Sequence, residues 1–68
     1  MRITYRVDGQ DFETLDEAVA HVATTKFPPG ADLTREKDPG ADGWEWLVFD
    51  EADESDEPIF VTIFEMEG

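Results

Sequence analysis

The stretch Ile3-Thr4-Tyr5-Arg6-Val7-Asp8-Gly9-Gln10-Asp11-Phe12-Glu13-Thr14-Leu15-Asp16-Glu17 decides the fold, because its hydrophobic period changes from that of a strand to that of a helix. Ile3, Tyr5 and Val7 alternate with Thr4 and Arg6, the period-2 pattern of a strand with one buried face. Asp8-Gly9 follows at once. An Asp-Gly pair between alternating segments favours a tight primed turn, so Gln10 to about Glu13 is predicted to return as a second strand with Phe12 inward. Thr14 and Glu17 have the spacing of a capping box, in which hydroxyl and carboxylate each satisfy a free backbone N–H, and Asp16 and Glu17 suit the positive end of a helix. The spacing predicts a helix from Leu15, with Leu15, Ala18, Val19, Val22 and Ala23 on one stripe. Pro28-Pro29-Gly30 must stop it at about Lys26 or Phe27.

Beyond the helix the signals weaken. Ala31 to Lys37 reads as a short strand centred on Leu33, and Pro39-Gly40-Ala41-Asp42-Gly43 as a turn. Trp44 to Phe49 and Ile59 to Phe64 are rich in aromatic and β-branched residues and read as strands, linked by the acidic segment from Asp50 to Glu57. The order β-β-α-(β)-β-β predicts a single α+β domain over residues 1–68, an antiparallel sheet of four to five strands with one helix packed on one face, in two layers. If Trp44, Trp46, Val48, Ile59, Val61 and Ile63 face the helix, then Leu47, Phe49, Phe60 and Phe64 point the other way. One helix cannot cover both sets. Either sheet curvature or the 31–43 segment covers the second set, or that set is a dimer or partner interface.

The 68 residues carry eighteen acids, five bases and a net charge of −13, which excludes direct binding to nucleic acid phosphates or anionic membrane. The charge is polarised along the chain. Up to Lys37 the net charge is −2; the 31 residues after it hold eleven acids and no base. The densest run is Asp50, Glu51, Asp53, Glu54, Asp56 and Glu57, a solvated loop by composition. No apolar run approaches a membrane span and the start lacks the apolar stretch of a signal peptide, so a cytoplasmic location is expected.

Catalytic chemistry is poorly provided for. There is no cysteine, the one serine is Ser55 inside the acidic run, and the one histidine, His21, lies about 240° around the helix from Leu15, on a side expected to face solvent. No triad, phosphate loop or perturbing cleft is predicted, so the chain is expected not to be an enzyme and to carry no cofactor. Asp50, Asp53 and Asp56 recur every third residue, but the spacing is wrong for an EF-hand loop and no glycine lies between Gly43 and Gly68, so no metal site is predicted.

Three readings of the acidity remain. A DNA mimic would set carboxylates where phosphates would lie; residues i and i+2 of a strand are about 6.6 to 6.8 Å apart, twice the roughly 3.4 Å rise between phosphates of one DNA strand. Adaptation to high salt would use the same composition to keep the surface hydrated, as a domain of a halophile-type proteome. A small protein-binding or regulatory module would use the apolar second sheet face.

The short cysteine-free chain, its strand-turn-strand-helix opening (Tyr5 to Phe12, then Thr14 to Ala18), aromatic later strands and acidic surface resemble the phage-encoded anti-CRISPR proteins, particularly acidic inhibitors of type I systems. The resemblance lies in size, charge and element order and includes no diagnostic motif. It implies a non-catalytic inhibitor, acting in a host bacterial cytoplasm, that binds a basic DNA-binding subunit of a CRISPR surveillance complex and blocks target recognition. The base-free charge predicts a partner-binding surface made of Asp38, Asp42, Glu45, Asp50, Glu51, Asp53, Glu54, Asp56 and Glu57, with Glu65 and Glu67 at its margin. Trp44 and Trp46 are expected in the core, with one of them as a partly exposed anchor. Self-repulsion at −13 favours a monomer or weak homodimer.

Overall fold

The structure, a computed structural model, describes residues 2–40 and 43–67. Five strands and one helix follow in the order β1 (Ile3–Val7), β2 (Gln10–Phe12), α1 (Leu15–Thr25), β3 (Leu33–Gly40), β4 (Gly43–Asp50) and β5 (Phe60–Glu67). All pairings are antiparallel and the strand order is β2-β1-β5-β4-β3. The helix carries the chain from the β2 edge to the opposite edge at β3, and β3, β4 and β5 form a meander that closes against β1. The predicted α+β class, with one helix on an antiparallel sheet, is what forms.

Local chemistry fixes each end of the opening hairpin and helix. Asp8 and Gly9 both take positive φ, 54° and 74°, as a type I′ turn requires. Val7 pairs with Gln10 and Tyr5 with Phe12 across that turn. Thr14 is extended, and its Oγ1 accepts the Glu17 N–H at 3.2 Å, the first half of the expected capping box. At the other end Lys26 N–H donates to the Val22 carbonyl at 2.8 Å. Asp8 then ties turn to helix: its carboxylate lies 3.2 Å from Lys26 Nζ and 3.3 Å from His21 Nε2. Lys26, and then His21, hold the Asp8 carboxyl below the ordinary 3.8, against an opposing push from burial.

The core is small. Val7, Ala18, Val22, Phe27, Val48 and Ile63 are buried, with Tyr5, Phe12, Leu15, Val19, Ala31, Leu33, Trp46 and Val61 packed around them. Helix residues Ala18 and Val22, four apart, supply one side, and Val48 and Ile63, on neighbouring strands β4 and β5, the other.

The structure departs from the sequence-based expectations in three places. β3 extends to Gly40 and β4 begins at Gly43, so the 39–43 turn shrinks to a two-residue connection, Ala41-Asp42, that lies outside the described residues. Ile59 is outside β5 and exposed, because the strand begins one residue later and continues to Glu67. His21 is not simply solvent-facing. It is half-buried, with its ring centroid 5.2 Å from that of Phe12, so the β2 edge and Asp8 cover a side of the helix that the helical wheel alone assigns to water.

Replacing Ile63 by Ala should lower unfolding free energy by about 3 kcal/mol, since a fully buried side chain leaves a cavity. Phe60→Ser, on the other face, should cost about 1 kcal/mol or less. Urea denaturation of both variants checks the contrast.

Candidate functional site

Strand alternation and register assign every side chain of β3, β4 and β5 to one sheet face or the other. Trp46, Val48, Val61 and Ile63 face the helix, together with Arg35 and Lys37, which pair with Val48 and Trp46. On the opposite face stand Leu47, Phe49, Phe60, Phe64 and Met66. Phe60 and Phe64 are 55% and 44% exposed, values too high for a covered face. Phe49 and Phe60 are directly cross-strand, their ring centroids 5.8 Å apart. No described element covers these residues; the 31–43 segment instead extends the sheet as β3. The alternation in the sequence correctly separates this second set.

The unpaired acids sit around that face and beyond its end. All five bases meet a carboxylate of the same chain: Arg2 with Glu13, Arg6 with Asp11 at 2.7 Å, Lys26 with Asp8, Arg35 with Asp16 at 2.7 Å, and Lys37 with Glu65 at 3.8 Å. Four of those five acids precede residue 20, so the first half of the chain largely neutralises itself. None of the predicted partner-binding acids among the described residues has a basic partner.

Those acids form two groups. Asp38 and Glu45 are directly opposite each other across β3 and β4, on the open face beside Glu36. Like charges in that arrangement repel. Glu45 lies flat over Gly40, where a Cβ would come within 2.6 Å of its Cγ. Asp42 falls outside the described residues. The second group, Asp50 to Glu57, lies at the other end of β4, about 17 Å from Glu45 for five residues of extended chain. The predicted single surface is therefore two acidic regions bracketing an apolar band.

Within the loop the carboxylates divide again. Asp50 accepts the N–H groups of Asp32 at 3.2 Å and Ala52 at 3.0 Å, and Glu51 accepts the Thr34 hydroxyl at 3.1 Å, so both brace the start of β3. Asp53 accepts the Ser55 N–H at 2.9 Å, and that bond, with the Ser55 hydroxyl, holds its carboxyl below the ordinary 3.8. Glu54, Asp56 and Glu57 are exposed. Glu65 is placed differently from its predicted margin. It turns to the helix side, where Trp46 Nε1–H donates to it at 3.2 Å. Burial, and then the Glu65 carboxylate, push the Tyr5 phenol above 10.0.

Of the two tryptophans, Trp46 is half-buried and Trp44 is 44% exposed. Lys37 Nζ rests 4.6 Å from the Trp44 ring and 5.4 Å from that of Trp46, closing the part of this face that the helix leaves open. Sequence reading did not single out Lys37; its alternation with Glu36 and Asp38 is the signal that would have placed it on the aromatic side.

Among the described residues no cluster of His, Asp or Glu has the geometry to hold a metal ion, and no helix is long and apolar enough to cross a membrane. No protein-family model, curated protein or solved structure matches the chain.

The Asp53 bond can be tested directly. Its carboxyl should titrate below 3.8 by carbon-detected NMR, and Ser55→Pro, which removes the donor N–H and the hydroxyl, should raise it. Because the folded value is depressed, any stability gained from this bond is present above pH 3.8 and is lost as pH falls through the folded value.

Proposed function

We propose that this protein is a non-catalytic acidic inhibitor that binds a basic nucleic-acid-binding protein and occupies the surface on which that protein holds DNA. The observation that carries the reading is the division of charge: every Lys and Arg is paired within the chain, whereas the acids of β3, β4 and the 51–57 loop have no counterion among the described residues. A cationic groove supplies what those carboxylates lack. Counterions released from both surfaces favour the complex at low salt, and the field of the acidic surface steers encounter. The resemblance to acidic anti-CRISPR proteins suggests a DNA-binding subunit of a CRISPR surveillance complex as the partner.

Asp38 opposite Glu45 favours this reading over a purely solvating role for the acids. Acids at directly cross-strand positions destabilise a free sheet by about 0.5 kcal/mol or less, the Glu45 side chain leaning toward Gly40, and a cation placed between them reverses that cost. Salt adaptation calls for hydrated, spaced acids and gains nothing from this pairing.

Exchanging Asp53, Glu54 and Asp56 for Lys shifts the net charge by six units, from −13 to −7. In a phage-protection assay against CRISPR immunity the triple variant should lose inhibition while keeping its circular dichroism spectrum; unchanged inhibition would sink the reading. Thermal melts in dilute buffer and in molar NaCl separate it from salt adaptation. The protein should be folded in both, whereas folding only at high salt would favour the halophile account.

A further inference from the structure

We propose that the open sheet face is the docking site for a basic amphipathic helix of the partner, laid along β4 and β5. The proposal rests on the reading above that the partner is basic, and adds where and in what form it binds. Phe60, Phe64 and Met66 stand on the open face of β5, with Phe49 and Leu47 beside them on β4. From Phe60 to Met66 the band, interrupted on β5 by Thr62 opposite Leu47, is about 20 Å long, the length of a helix of about 14 residues. The same sheet already seats an 11-residue helix on its other face by the same means, an apolar stripe against alternating strand residues. A second helix would complete a three-layer arrangement.

The margins of the band differ in charge, and that difference selects the occupant. On the β3 side stand Glu36 and Asp38, with Glu45 next to them, none bridged to a base among the described residues. On the β1 side Arg6, beside Phe64 in the register, is neutralised by Asp11, its cross-strand neighbour on β2, at 2.7 Å and 3.2 Å. A fitting helix therefore carries its apolar residues at i, i+3, i+4 and i+7, and its Lys and Arg on the flank facing β3. A second copy of this chain is disfavoured, because two chains each of net charge −13 repel. Apolar contact supplies the affinity that persists in salt, and the acidic margin sets the direction in which the helix lies.

The test uses the intact protein, isotope-labelled for NMR, and two synthetic peptides of about 14 residues with one composition of Leu and Lys. One has Leu on a single helical face and the other has the order permuted. The amphipathic peptide should bind at least tenfold more tightly and shift the amides of Leu47, Phe49, Phe60 and Phe64. Phe60→Ser with Phe64→Ser should weaken it about tenfold; both side chains are about half exposed, and a circular dichroism spectrum like that of the parent confirms the fold. Glu36→Gln with Asp38→Asn should weaken it several-fold at low salt and hardly at all in molar NaCl. Equal binding of the two peptides, with shifts confined to residues 51–57, would overturn the helix site and leave the basic-partner reading standing. Binding of neither peptide would overturn both. A free protein that sediments as a dimer, with its open-face amides protected from exchange, would show a second copy as the occupant and overturn the proposal.

Discussion

The packing of Ala18 and Val22 over a sheet that presents Val48 and Ile63 is the contact on which the rest of this molecule depends. Helix α1 is the only helix among the described residues, 11 residues and about 16 Å long, and its backbone comes nearest to β1 and β2. Everything it does not reach must be covered by other means. Phe27 and Ala31 extend the cover at the end of the helix, and Lys37 lies over the indoles of Trp44 and Trp46. Among the described residues no such substitute covers the second face. The exposed Phe60 and Phe64 are thus a consequence of one helix on a five-stranded sheet, and the same limit makes that face available to a partner.

Electrostatics follows from the topology as well. The acids Asp8, Asp11, Glu13 and Asp16 of the hairpin and helix each meet a base, three of them from the same segment and the fourth, Arg35, from β3. The meander of β3, β4 and β5 receives no such compensation beyond Lys37 and Glu65. Its carboxylates are held in place by backbone and hydroxyl groups instead, as Asp50, Glu51 and Asp53 show. These bonds position the charges without neutralising them, which favours a surface that is acidic and partly ordered before any partner arrives.

How much of this was legible in the sequence depends on the range of the interactions involved. The Asp8-Gly9 turn, the Thr14 cap and the helix end before Pro28 are local, and each forms where its residues indicate. β3 is different. Leu33-Thr34-Arg35-Glu36-Lys37-Asp38-Pro39-Gly40 has little apolar alternation and becomes a strand by pairing with β4 over its whole length, with Pro39 tolerated because β3 is an edge. The alternation of β4 and β5 showed which aromatics share a face, yet not that Lys37 would cover two of them. Likewise, the acids after residue 37 read as one surface because they are close in sequence. Strand β4 separates them by its own length, and only the register shows Asp38 opposite Glu45.

The claim that binds these features is that the unpaired carboxylates replace DNA on a basic protein. Capturing partners from bacterial lysate on this protein at low salt, then eluting with duplex DNA, tests it most directly. The account predicts that a basic DNA-binding protein is retained, that duplex DNA releases it, and that retention falls steadily with the logarithm of salt concentration. Retention of a partner that duplex DNA does not displace, or that is indifferent to salt, would contradict it.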